Sequence, residues 1–398
     1  MIHSSTAHRD HPASLTLPPL ALYVHVPWCV RKCPYCDFNS HARTRTLPAR
    51  AYLRSLQQDL LVDLAYLQDR PLQSIFIGGG TPSLMPPWVY QALLEFCDRH
   101  CRLAPDIEIT MEANPGTSEY HNLHGLRRAG INRLSFGAQS FDDTQLAKLG
   151  RIHTSAETYR AFHAAREAGF DNINLDLMHS LPGQNPDAAL RDIQIAAELK
   201  PEHLSWYQLT IEPNTAFYNQ PPPLPDEDTQ ADILERGLDA IFAAGFKAYE
   251  ISAYARPGYQ SRHNLNYWRF GDYLGIGAGA HGKITQCSEG RVLRYQKTRR
   301  PEDYLKPDKP FCAKRWEVSE SDRVLEFFMN ALRLYEAVPL ARFEQLCGLP
   351  IARVAPILRT LEQRGLLEWR EGDELHLSAL GRRFLNNVLE AFLDTQNT

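Results

Sequence analysis

No stretch of this chain holds the roughly 20 consecutive apolar residues that a membrane-spanning helix requires. Residues 1–19 also lack the apolar centre of a secretory signal. Polar and rich in His, Ser and Pro, they are expected as a disordered lead-in. Neither sign of charge dominates. The 43 Lys and Arg against 47 Asp and Glu leave a net charge of −4, which argues against wholesale nucleic-acid binding. A disulfide framework is not expected either. The 8 cysteines are read as thiols in a reducing, cytoplasmic compartment. Cys97, Cys101, Cys287, Cys312 and Cys347 carry no ligand spacing and are expected as buried thiols. Cys29, Cys33 and Cys36 have no second pair near them, and position 38 is Phe. A structural zinc site wants four ligands, so that absence disfavours zinc.

What is present begins at those three thiols. Leu22-Tyr23-Val24-His25-Val26 reads as a buried strand closed by Pro27, so the C-x3-C-x2-C run sits on the loop leaving a strand. An ordinary [4Fe–4S] cluster takes four Cys ligands. Three ligands would leave one iron open to a non-protein group. The methionyl amine and carboxylate of S-adenosylmethionine (SAM) can chelate such an iron.

With 398 residues, 43% hydrophobic and 23% charged, the chain suits an ordinary globular protein of two or three domains, or one large α/β domain with an appendage. Strand-like and helix-like stretches alternate from Leu20 to about Ile251. Strands are expected at 73–77, 107–112, 132–136, 172–177, 203–209 and 247–251, and the helices between them include one from about Ser118. The repeat implies a parallel sheet with crossover helices. Cys29, Gly79, Glu112, Gln139, Asp176 and Thr210 fall at the C-terminal ends of successive strands. Those ends ring one mouth in a barrel, so a partial TIM-type (βα)6 barrel is favoured over an open sheet. Gly78-Gly79-Gly80-Thr81-Pro82 at a strand exit offers free backbone to a small ligand.

The glycine-rich 271–282 run lacks the strand and helix context of a dinucleotide fingerprint and is read as a tightly packed closing loop. From about Ser319, three helices, a hairpin turning at Glu371-Gly372-Asp373 and a last helix suggest a winged-helix-like module. Its third helix offers only Arg353, Arg359 and Arg364 as cations, so packing or partner contact is expected rather than DNA binding. The expected division is therefore 1–19, a barrel over 20–253, a connecting segment over 254–318 and the helical module over 319–398.

These residues resemble the radical SAM family of oxygen-independent coproporphyrinogen III dehydrogenases and their relatives, the HemW-type haem chaperones. The likeness runs from about Leu20 to Leu393. It rests on Tyr23-Val24-His25-Val26-Pro27-Trp28-Cys29, the three cysteines, 78–82, 135–141, Asp176 with 181–184, and His263-Asn264 with Tyr267-Trp268. The resemblance implies that Cys29, Cys33 and Cys36 hold a [4Fe–4S] cluster and that Tyr23, Gly79 and Glu112 contact the SAM on it. In the dehydrogenases a second SAM is held by residues matching Tyr35, Gly80, Thr81, Gln139, Arg151 and Asp176. Two departures separate the subfamilies. The dehydrogenase pattern continues C-x-C where this chain has Asp37-Phe38, and the dehydrogenase has a longer N-terminal arm. The His263, Tyr267 and Trp268 element resembles the haem motif of the chaperones. It implies an axial His263 beside a flat wall of Tyr267 and Trp268, with His25 and His281 competing for the ligand role. The expected function is haem binding and transfer to respiratory acceptor proteins, with no transmembrane segment and peripheral membrane contact left open. The alternative is oxidative decarboxylation of coproporphyrinogen.

Overall fold

The computed structural model describes residues 14–42, 46–116, 122–370 and 372–393. Residues 1–13 of the expected lead-in, the expected helix start at Ser118 and the expected hairpin-tip residue Glu371 lie outside the described residues. Residues 14–19 were expected to be loose, but Leu15 and Pro18 are buried while the other four are exposed. Leu15 is buried against Val292 and Val318, and the Thr16 N–H donates to the Gln345 carbonyl at 2.8 Å.

The first six long strands are β1 (Leu20–Val26), β2 (Leu72–Gly79), β3 (Leu103–Ala113), β4 (Arg133–Gln139), β5 (Ile173–His179) and β6 (His203–Gln208). Consecutive ones pair in parallel. Strand β1 is buried along nearly its whole length, as a strand covered on both faces must be. Crossover helices supply the outer layer. Ala49–Asp63 buries Tyr52, Leu56 and Leu60, and Pro87–His100 buries Val89, Leu93 and Cys97. Ser155–Glu167 starts with a capping box in which Thr154 and Glu157 satisfy each other's free amides.

The sheet does not stop at β6. Further strands are β7 (Lys247–Glu250), β8 (Ala253–Ala255), β9 (Asp272–Ile276), β10 (His281–Gln286), β11 (Arg291–Lys297) and β12 (Cys312–Glu317). Together they make a 12-stranded mixed sheet in the order β12-β11-β10-β9-β1-β2-β3-β4-β5-β6-β8-β7. Strand β9 lies parallel to β1, whereas β10, β11 and β12 add on antiparallel. The glycine-rich run is thus not a closing loop. Its first half is β9, and its glycines are needed for close packing. A Cβ at Gly275 would stand 1.9 Å from the His281 carbonyl oxygen, and one at Gly282 would stand 2.2 Å from the Tyr295 ring. Residues 254–318, expected as a connection, carry most of this extension.

Buried ion pairs fasten the added strands to the barrel. Lys297 on β11 reaches Asp59 at 2.6 Å and Asp63 at 2.7 Å on the first crossover helix. Lys283 on β10 reaches Asp272 at 3.1 Å, and Asp272 also takes Arg70 at 2.8 Å.

The C-terminal region has its own core, built on Phe327, Phe328, Phe343, Leu358 and Leu361. Helices Glu320–Ala331, Leu340–Cys347 and Ala355–Gln363 pack with a small sheet of Val338–Pro339, Leu367–Arg370 and Glu374–Leu377. Phe270, from the segment before β9, is buried in this second core against Phe327.

Candidate functional site

The three thiols leave β1 as expected. Trp28–Cys29 pairs with His41–Ala42, which turns the cysteine loop back on itself. The backbone of the glycine run is laced to the same loop. Gly80 N–H donates to the Val26 carbonyl at 2.7 Å and Thr81 N–H to the Trp28 carbonyl at 2.8 Å. A Cβ at Gly80 would stand 2.6 Å from the Trp28 oxygen. Gly79 has φ +117°, and a Cβ there would stand 2.6 Å from the His25 ring. The glycines expected to make room for a ligand therefore first make room for His25 and Trp28.

Cys29, Cys33 and Cys36 are all free and partly exposed. Among the described residues no three His, Cys, Asp or Glu side chains are arranged to hold a single metal ion. A cluster makes a different demand, because each thiolate binds a separate iron. Arg151 Nη1 donates to Cys33 Sγ at 3.5 Å, and Cys36 Sγ lies 3.6 Å from Ser40 Oγ. Burial pushes the Cys29 thiol up, opposed by the Thr81 hydroxyl bonded to it. A bound metal would deprotonate such thiols outright. The donor set fits a three-cysteine cluster.

The polar residues at the other strand ends gather around this loop. Gly79 N–H donates to Glu112 Oε2 at 2.9 Å. Burial, and then the nearby Asp176, pushes the Glu112 carboxyl up to about 8. Asp176 accepts from Ser135 Oγ at 2.9 Å and Asn174 Nδ2 at 2.8 Å, and burial raises its pKa too. Gln139 has the left-handed φ of 67°, rare outside glycine. Its Oε1 accepts from Tyr207 OH at 2.9 Å. Arg151 also donates to Asn114 Oδ1 at 2.5 Å and the Gly137 carbonyl at 2.9 Å. Tyr35 is hydrogen-bonded to Cys33, and burial raises its phenol. Tyr207 and Asn114 were not singled out from the sequence. Tyr207 pairs with Met178 near the end of β6, and the strand-end rule that found Asp176 would have found it too. Thr210 lies beyond β6 and is exposed.

The haem-motif residues stand elsewhere. Arg262–Trp268 is a short helix whose first amides, those of Arg262 and His263, donate to Glu108 on β3 at 3.1 Å each. His263 is only 1% exposed. Its Nδ1 bonds Ser74 Oγ on β2 at 2.9 Å and its Nε2 bonds Tyr267 OH at 2.9 Å. Its ring stacks on Phe76 at 5.1 Å, and burial drives its pKa down to about 3. Both nitrogens of His263, expected as the axial ligand, are thus engaged inside the barrel. Tyr267 and Trp268, expected as a flat wall, are not coplanar. The Tyr267 and Trp268 rings are 6.4 Å apart with planes at 61°. They border a cavity of about 230 Å³ against Phe270, Lys283 and Arg294.

A larger cavity of about 550 Å³ opens at the mouth. Tyr23, Gly79, Glu112, Tyr267 and Tyr273 line it. The remaining wall comes from Asp37, Phe38 and Asn39 of the cysteine loop, with His281, Gln296 and Arg299 from the added strands. Tyr23 OH is 3.0 Å from His25 Nδ1, and His25 Nε2 is 2.9 Å from the Asn39 carbonyl.

The radical SAM superfamily matches residues 23–196, and the HemN C-terminal domain matches residues 318–384. The heme chaperone HemW of Escherichia coli is 50% identical over 95% of this chain and 99% of its own length. The heme chaperone HemW of Bacillus subtilis is 36% identical over 93% of this chain and 98% of its own. Among solved structures, the radical SAM enzyme coproporphyrinogen III oxidase (HemN) of Escherichia coli superposes with a TM-score of 0.79. It covers 94% of this chain and 90% of that one at 24% identity, which establishes a shared fold.

Proposed function

The chain belongs to the HemW family of radical SAM proteins, and from that premise we propose that it binds haem and hands it to acceptor proteins. The family implies a [4Fe–4S] cluster and SAM. In our reading Cys29, Cys33 and Cys36 hold the cluster, and Tyr23, Gly79 and Glu112 receive the methionyl end of SAM. Tyr35, Gly80, Thr81, Gln139, Arg151 and Asp176 line the rest of that mouth. When bound, the cluster supplies an electron and SAM a sulfonium bond that an electron can cleave.

The chain's own residues do the remaining work. Arg151 faces Cys33 with a fixed cation and offsets the negative charge of a thiolate-bound cluster. Glu112 would accept a hydrogen bond from the iron-bound methionyl amine, as the carboxylate left once it gives up the proton that burial lets it keep at neutral pH. Tyr207 holds Gln139 in its unusual backbone conformation.

The observation that carries the haem reading is the full-length similarity to proteins named heme chaperones. Phe38 supports it, since the dehydrogenase pattern places a cysteine there. The acceptors are proposed to be respiratory proteins, met in the cytoplasm or through peripheral contact with a membrane. Among the described residues no helix is long and apolar enough to cross one. The test is anaerobic incubation of the reconstituted protein with haem and, separately, with coproporphyrinogen, SAM and reductant. Haem uptake and delivery to an apo-haemoprotein, without decarboxylation, is the expected result. Decarboxylation without haem uptake would put the dehydrogenase reading in its place.

A further inference from the structure

His25 and His263, two of the three histidines proposed as haem ligands, have both ring nitrogens bonded inside the protein. His281 differs. It opens β10 with an exposed side chain on the rim of the 550 Å³ cavity, and no hydrogen bond engages its ring among the described residues. Arg299 lines the same cavity, exposed and without a side-chain partner among the described residues. So does Phe38, 61% exposed although it is a large apolar ring. An exposed phenylalanine, an unbonded imidazole and an unpaired guanidinium around one opening are complementary to one ligand class. That class is an iron tetrapyrrole with propionate side chains: aromatic face, axial site and carboxylates respectively.

We propose that haem binds in this cavity, with His281 as axial ligand, Arg299 on a propionate and Phe38 against the macrocycle face. This rests on the haem-binding reading above and assigns its site. The walls of the cavity are held in place. Asn39 Nδ2 donates to the Ala278 and Arg299 carbonyls at 2.9 Å each, which ties the cysteine loop to the added strands. Partial desolvation at the rim, and then Arg294 and Arg299, lower the His281 pKa, so its imidazole stands neutral as a metal ligand requires. The same cavity is also lined by Tyr23, Gly79 and Glu112. Haem and SAM would then be neighbours in one opening, and the buried histidine motif would serve as the floor beneath them.

The test is haemin titration of the full-length, cluster-reconstituted protein, read by absorbance. His281→Ala is expected to shift the Soret band and weaken binding at least tenfold. Arg299→Glu is expected to weaken binding by a similar factor with the Soret position unchanged, because charge is reversed while the axial ligand stays. Iron-free protoporphyrin should bind wild type and His281→Ala equally, since no axial bond is at stake. Both substituted side chains are exposed, so the fold should survive, and unchanged circular dichroism checks this. Wild-type spectrum and affinity in both variants would overturn the site while leaving the haem reading intact. Failure of the wild-type protein to bind haemin at all would overturn the haem reading itself.

Discussion

Single side chains divide into those that hold the barrel and those that face the opening, and His263 marks the line. Replacing it with Ala removes hydrogen bonds to Ser74 and Tyr267 and leaves a hole against Phe76. We expect a loss of about 2–4 kcal/mol in urea unfolding, from the cavity and the unpaired hydroxyls. The Soret band of the haem complex should be unchanged, and a shifted band would return the axial role to His263. Glu112 makes a separate prediction. Its folded pKa of about 8 lies above the ordinary 4.5. The folded chain therefore holds this proton more tightly than the unfolded chain does, and its contribution to stability falls as pH rises from 4.5 towards 8. The amine that chelates iron is neutral and donates to a carboxylate, so SAM binding at neutral pH should release the Glu112 proton in addition to the one the ammonium loses. Affinity should climb with pH and level off above 8. Calorimetry in buffers of different ionisation enthalpy counts these protons, and Glu112→Gln should remove the Glu112 share and leave the other.

At the scale of elements, the βα repeat was legible because fully buried parallel strands read as apolar runs with polar residues at their exits. The strand-end rule placed Glu112, Gln139 and Asp176 at one mouth before any coordinates. Strands β9 to β12 were not legible. Glycine is a poor strand former, and its use in 271–282 depends on neighbours distant in sequence, such as Tyr295 against Gly282 and Asn39 against Gly279. The burial of His263 was not legible for a related reason. A His, Tyr and Trp grouped in sequence look like a binding wall, but a helix turns them apart, and Ser74 claims the imidazole from 189 positions away. Asn39 is the clearest joint between elements, since its amide ties the cysteine loop to the turn after β9 and to the end of β11. Asn39→Ala should cost about 1–3 kcal/mol through two unsatisfied carbonyls. It should also speed bleaching of the cluster by a chelator. An unchanged bleaching rate would show that the loop is held by other contacts.

In the whole molecule one short segment enters both cores. The helix Arg262–Trp268 is anchored in the barrel by Glu108, and Phe270, two residues beyond its end, is buried among the C-terminal phenylalanines. Arg333 adds an ion pair to Glu250 at 3.0 Å. Phe270→Ala should therefore loosen the C-terminal region from the barrel at a cost of about 3–5 kcal/mol. Thermal unfolding should then split into two transitions, whereas a single transition at the wild-type temperature would mean that Phe270 is not the joint. This layout keeps the cysteine loop and the open cavity on the barrel mouth while the haem-motif helix closes the interior and reaches towards the second core.

The most direct test of the account is a paired assay on the anaerobically reconstituted protein. Its iron, haem and tetrapyrrole products are quantified together, with and without Cys29, Cys33 and Cys36. The account predicts cluster iron that disappears with the three thiols, haem bound in stoichiometric amount whether or not the thiols are present, and no decarboxylated coproporphyrinogen. Cluster iron retained without the thiols, or decarboxylated product in place of bound haem, would contradict it.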